Sequence, residues 1–181
     1  ILYALNAQTL TTPATPEPPI AVAALNGYVF ILAANNRRIY FSTTGLTWRA
    51  LDFQTVESGP PNDMVGMITD HEELWIFGNR MAQAFVVGED PDAPLVQITS
   101  GLIMMGLASR HALCALDNSL FWYGKNKDGE HMAWRANGYT PVRVSNHAVE
   151  NAFRSYPRHD DVSMATFQLN GHSCIRMTFP S

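Results

Sequence analysis

Lysine is nearly missing: the chain of 181 residues has it only at Lys125 and Lys127. The remaining basic residues are scattered arginines, and the net charge is −4. No basic stripe exists to neutralise a phosphate backbone, so tight direct binding of nucleic acid is not expected. Charge of either sign is also scarce, at 15% of residues against the roughly 25% of an average soluble domain. Two cysteines, Cys114 and Cys174, supply neither a metal-ligand cluster nor a disulfide framework. Free, buried thiols are the expected state, with a single bridge left open. No apolar run approaches the roughly 20 residues that span a bilayer, and the segment from Ile1 to Leu10 lacks the charged start and long apolar centre of a signal peptide. No membrane partner is expected. Position 1 is not Met, and the last apolar segment, Ile175 to Phe179, runs nearly to Ser181, so the sequence reads as part of a longer chain.

What is present is apolar: 46% of residues are hydrophobic, enough for a sizeable core. The apolar residues recur in a pattern. A turn pair followed by an apolar run occurs at Asn26-Gly27, Glu72-Glu73, Asn118-Ser119 and Asn170-Gly171, that is, every 46 to 52 residues. Each pair is also preceded by an apolar stretch (Ala21 to Leu25, Val65 to Ile68, Ala112 to Leu116, Ala165 to Leu169). Asn-Gly between two such runs is a strong hairpin signal. Third strands are expected at Arg38 to Ser42, Ala82 to Val87 and His131 to Arg135, the last reached through Asp128-Gly129. Weaker fourth strands follow near Trp48 to Phe53, Leu95 to Ile98 and Val142 to Val144. Four strands at this interval are the arithmetic of a β-propeller blade, whose sheet is buried on both faces by its neighbours. A sandwich or jelly roll gives no reason for the same turn to return at a near-constant interval. The expected fold class is therefore all-β, a partial set of four-stranded antiparallel propeller blades.

Three stretches interrupt the repeat. Thr11 to Pro19 is Pro-rich and reads as an extended linker, while Glu57 to Asp63 and Gly88 to Pro94 read as loops. Residues 1–19 are thus expected to form an N-terminal extension and linker, and residues 20–181 about three and a half blades. His147 to Phe153 alone has helical spacing, with Ser145 as its expected N-cap, and reads as one short inserted helix.

Candidate chemistry is thin. His71-Glu72-Glu73 lacks the second histidine of a zinc-protease helix and falls on a hairpin turn. His159-Asp160-Asp161 with Ser163 holds triad residue types, but triads are recognised by geometry rather than adjacency. Asp90-Pro91-Asp92 and Asp117-Asn118 lack the alternating ligands of a calcium loop. Arg37, Arg80 and Arg110 are too scattered to nominate a substrate-binding cluster. Trp75, Phe121 and Trp122 read as core, whereas Trp134 and Tyr139 lie nearer loops and are candidate surface anchors. No catalytic residue, metal site or cofactor is expected, and the protein-binding surface is unknown at this stage.

Ser42-Thr43-Thr44-Gly45-Leu46-Thr47-Trp48 resembles the Asp-box turn of sialidase-type propellers, one residue short and without its Asp. A wider resemblance lies in an ordered series. It runs through Arg38-Ile39-Tyr40-Phe41-Ser42, Thr47 to Phe53, Glu57-Ser58, Pro61-Asn62-Asp63 and Glu73 to Gly78. It continues through Leu116 to Trp122, Asn137 to Glu150, Gly171-His172 and Thr178-Phe179-Pro180. Together these resemble the packaged-DNA stabilisation proteins, or tail accessory hubs, of short-tailed bacteriophages. The resemblance implies a non-enzymatic virion protein, assembled in the host cytoplasm into a homo-oligomeric ring below the portal and its adaptor. It also implies a role in retaining packaged DNA and attachment points for the tail spike and tail needle. Two stretches depart from the family pattern: Asn79 to Phe85, and the unusually apolar Gly101 to Gly106, which reads as an inter-blade strand or an interface. The competing functions are a propeller binding module of a cellular host and a sialidase-like glycosidase, the latter needing a carboxylate pair that no motif supplies.

Overall fold

The computed structural model describes residues 4–6, 9–11, 15, 17–33, 37–42, 48–49, 51–56 and 63–180. A short hairpin, β1 (Ala4–Asn6) with β2 (Thr9–Thr11), comes first. The first full sheet is β3 (Pro19–Leu25), β4 (Tyr28–Ala33), β5 (Arg38–Ser42) and β6 (Phe53–Thr55). The second is β7 (Met64–Asp70), β8 (Glu73–Gly78), β9 (Ala82–Val87) and β10 (Leu95–Ile103). The third is β11 (Leu113–Leu116), β12 (Ser119–Lys125), β13 (His131–Asn137) and β14 (Thr140–Arg143). A helix, α1 (His147–Phe153), then leads to a two-stranded sheet of β15 (Ser163–Leu169) and β16 (His172–Thr178). Within every sheet, consecutive strands pair antiparallel, the meander expected of a propeller blade.

The near-continuous apolar runs follow from burial on both sheet faces, because successive side chains of a strand point in opposite directions. On β8, Leu74 and Ile76 join Phe30, Leu32, Ile39 and Phe41 of the first blade, while Trp75 and Phe77 join Leu120, Trp122 and Trp134 of the third. The opposite face of the first blade buries Ile31, Ala33, Tyr40 and Trp48. Beyond the third blade, Tyr123 packs with Phe153 of α1 and with Phe179. First strands of successive blades lie side by side, β3 by β7 and β11 by β15, which puts them at the centre of the fan.

Backbone contact also locks the second and third blades together. The connection after β10 wedges between them: Gly106 N–H donates to Lys125, Leu107 N–H to Gly78 and Ala108 N–H to Tyr123. The fit leaves no room for side chains, since a Cβ on Gly124 would sit 1.7 Å from the Gly106 carbonyl oxygen and one on Gly106 would sit 2.1 Å from that of Asn79.

Several expectations need correction. The second and third hairpin turns fall one residue early, on His71-Glu72 and Asp117-Asn118, because Glu73 and Ser119 pair within the ladders opposite Asp70 and Leu116. The first fourth strand begins only at Phe53; before it, Arg49 and Asp52 close a turn, with Asp52 N–H donating to the Arg49 carbonyl. The fourth strand of the second blade runs on to Ile103 across a bulge, so Gly101 to Gly106 is divided: Ile103 is buried between blades while Leu102 and Met104 are exposed. The third blade's last strand is Thr140–Arg143, earlier than expected, and Pro141 is tolerated there because the strand is an edge. Asn146, not Ser145, caps α1 by accepting from Val149 N–H, since the Ser145 hydroxyl is engaged with Glu150. Finally, β15 and β16 are not dry on both faces: Phe167 and Leu169 are 45% and 56% exposed. Of the expected linker, residues 12–14 and 16 lie outside the described residues, as do 43–47 of the Asp-box-like segment and 57–62 of the loop and of the family-like series.

Candidate functional site

The histidines singled out by sequence are structural. His71, at φ 54, takes the first position of the second blade's turn, and its Nε2 lies 2.8 Å from Asn118 Oδ1 in the turn of the third blade. Its bond to Asp70, then that to Asn118, holds its pKa above the ordinary histidine value. His159 does not assemble a triad: Asp160 is bound by Arg158 at 3.0 Å, and Ser163 begins β15 opposite Thr178. Asp92 N–H donates to Asp90 Oδ1 in a self-contained turn, and Asp117 Oδ1 accepts from Ser173 at 2.9 Å. Among the described residues, no group of three or more His, Cys, Asp or Glu is placed to hold a metal ion. Cys114 and Cys174 are free thiols, Cys114 being buried.

Of the two candidate anchors, Trp134 lies inside and Tyr139 is half-buried. Trp134 is 6% exposed in the layer between the second and third blades. Tyr139 stacks on Trp75 at 5.7 Å and donates its hydroxyl to Glu73, which also accepts from Trp75 Nε1 at 3.0 Å. This carboxylate pins the third blade's last turn to the second blade. At the rim between the first two blades, Gln54 makes a reciprocal pair of bonds with the Leu95 backbone at 3.0 and 2.7 Å.

His131, which no sequence signal marked, stacks on His159 with ring centroids 3.8 Å apart. The Tyr123 hydroxyl and His159 Nδ1 share a hydrogen bond at 2.6 Å. Burial, then the charges of His159 and Lys125, lowers His131 to about 4. Burial and Lys125 also lower His159. Both rings are therefore neutral near pH 7. They form one wall of a cleft of about 320 Å³ that Lys125, Arg158 and Asn79 also line.

The antiparallel meander sends alternate connections to opposite ends of the fan. The end with the β7–β8 and β9–β10 turns carries Asp70, Glu72, Glu73, Glu89, Asp90 and Asp92. The other end gathers Arg37, Arg80 and Arg110, which the sequence leaves scattered, with Lys125 and Lys127, alongside Asp63, Asp128, Glu130, Asp160 and Asp161. Of these, Arg80, Lys125 and Lys127 line a single cleft of about 520 Å³ between the second and third blades, together with Asn79, Met81, Met104 and the turn from Asn126 to Gly129. What this junction offers chemically is cations and side-chain amides.

A search against curated proteins returned no match. A family model described as Bacteriophage P22 Gp10, beta-propeller matches residues 15–181. This match covers most of the chain, agrees with the four-stranded blades, and coincides with the ordered series of residues that resembled phage tail accessory proteins. The chain belongs to the Gp10 β-propeller family of phage DNA-stabilising structural proteins.

Proposed function

We propose that the protein is a non-enzymatic hub of the phage tail that docks as a homo-oligomeric ring below the portal and its adaptor. There it helps to retain the packaged genome and gives the tail spike and tail needle their attachment. The observation that carries this reading is the family match over residues 15–181. The fold supports it mechanically: successive blades are joined by shared apolar layers, backbone hydrogen bonds and side-chain ties, so load applied at one blade passes to the next. The proposed route to the virion is assembly in the host cytoplasm, with no cofactor and no membrane step.

The test is to mix the purified protein with portal–adaptor complexes, separate by sedimentation and image the particles. Co-sedimentation with a ring of copies below the adaptor is expected; failure to join the complex overturns the reading. Duplex DNA is expected to be bound weakly by a chain of net charge −4. A tight, salt-sensitive duplex complex would contradict that part.

A further inference from the structure

We propose that the cleft between the second and third blades is a docking site for an acidic peptide segment of a partner protein. Its three cations come from two blades: Arg80 from the β8–β9 connection, Lys125 and Lys127 from the end of β12 and the turn beyond it. They include every lysine in the chain. Asp128 is the one acidic residue of the lining, so the cleft is positive in a protein that is negative overall. Neither Lys125 nor Lys127 has an ion pair among the described residues, and the neighbouring rings of His131 and His159 are neutral and supply no counter-charge.

The walls are rigid where they must be. The Gly106 and Gly124 backbones touch beneath the cleft, and Asn126 Oδ1 accepts from the N–H groups of Asp128 and Glu130 at 2.9 Å each, which fixes the turn that carries Lys127. Preset cations bind an anion without the entropy cost of gathering them.

A peptide fits better than a nucleic acid for two reasons. A protein that grips duplex DNA sets out a track of cations, commonly about 6–10 phosphate contacts. Here three cations line the cleft; Arg37 and Arg110 lie outside its lining, and Arg154 and Arg158 on the same end are already bound by Glu130 and Asp160 at 2.8 and 3.0 Å, so no continuous track of that length is set out. The lining is also partly apolar, with Met81 buried and Met104 49% exposed, and flexible methionine surfaces adapt to the apolar side chains that a peptide carries between its carboxylates.

Fluorescein-labelled hexaglutamate and a labelled 20-base-pair duplex serve as probes, with binding read by anisotropy against the purified protein at low and at near-physiological salt. Saturable hexaglutamate binding is expected, weakening as salt rises. The Lys125→Gln/Lys127→Gln variant, checked for an unchanged thermal transition, should bind at least about ten-fold more weakly, whereas Arg176→Gln, on β16, should bind as the parent does. If the double variant unfolds, Lys127→Gln alone, at an exposed turn position, should still weaken binding several-fold. No saturable hexaglutamate binding, or binding unaffected by the lysine changes, overturns the proposal. Tighter binding of the duplex that is lost in the same variants overturns it in favour of a nucleic-acid cleft. These outcomes are independent of the portal–adaptor test, which reads assembly and not this cleft.

Discussion

At the scale of single residues, the hairpin turns show how little side chain the fold needs to set register. Asn26-Gly27, Asp117-Asn118 and Asn170-Gly171 all hold positive φ at both positions, the geometry that matches the twist of the flanking strands. A β-branched residue pays for that geometry directly, so Asn118→Val should cost about 1–2 kcal/mol in urea unfolding, and it also removes the contact to His71. The neutral His131–His159 pair adds a pH dependence. The folded protein declines a proton that the unfolded chain accepts, so the unfolded state binds more protons and stability rises with pH. The contribution of this pair to the unfolding free energy should be flat above pH 6.5 and fall between pH 6.5 and about 4, at up to about 1.4 kcal/mol per pH unit from His131, with His159 adding in the same direction. His131→Phe keeps a ring in the stack and should flatten that slope. Glu150 extends the loss to lower pH: burial works to raise its carboxyl, but bonds from Arg143 and Ser145 outweigh burial and hold it below the ordinary value.

At the scale of elements, blades are held at fixed separation by backbone as much as by side chains. Gly124→Ala drives a Cβ into the Gly106 carbonyl, a backbone atom that cannot swing aside, and should destabilise by about 3 kcal/mol or more, visible as a lowered urea midpoint or as insoluble expression. Tyr139→Phe is gentler. It leaves the stack on Trp75 intact and removes one bond to Glu73, for an expected loss of about 1–2 kcal/mol in the same measurement. A comparison of the two separates the backbone wedge from the side-chain tie at one blade junction.

At the scale of the whole molecule, shared layers make the blades mutually dependent. Phe77 is fully buried and touches Trp122 of the next blade at a ring separation of 5.5 Å, so it belongs to two sheets at once. Phe77→Ala should lower stability by about 3–5 kcal/mol, and tryptophan fluorescence and far-ultraviolet circular dichroism should still report one coincident transition. Two separated transitions would show that the blades unfold independently. The gathering of Arg80, Lys125 and Lys127 at one cleft belongs to this scale as well, since it is a property of two neighbouring blades and of no single strand.

Strand identity was written locally. The near-continuous apolar run of β8, the Asn-Gly turns and the near-constant interval between turns are consequences of neighbouring residues, and short-range sterics and side-chain patterning fix them without reference to the rest of the chain. Where expectation and structure parted, a distant partner was responsible. The turn slipped from Asn118-Ser119 to Asp117-Asn118, with the Ser119 hydroxyl bonded to the Ala136 carbonyl, Trp134 went inward because a neighbouring blade covers it, and Tyr139 is half-covered by Trp75 of that blade. The stacked histidines and the basic cleft were illegible for the same reason. His131 and His159 lie far apart in the chain, as do Arg80 and Lys127, and only the antiparallel meander, which returns every other connection to the same end, brings them together. Sequence alone determined what each blade is; packing of blade on blade decided what the surface offers, because proximity across a sheet stack is set by topology and not by position along the chain.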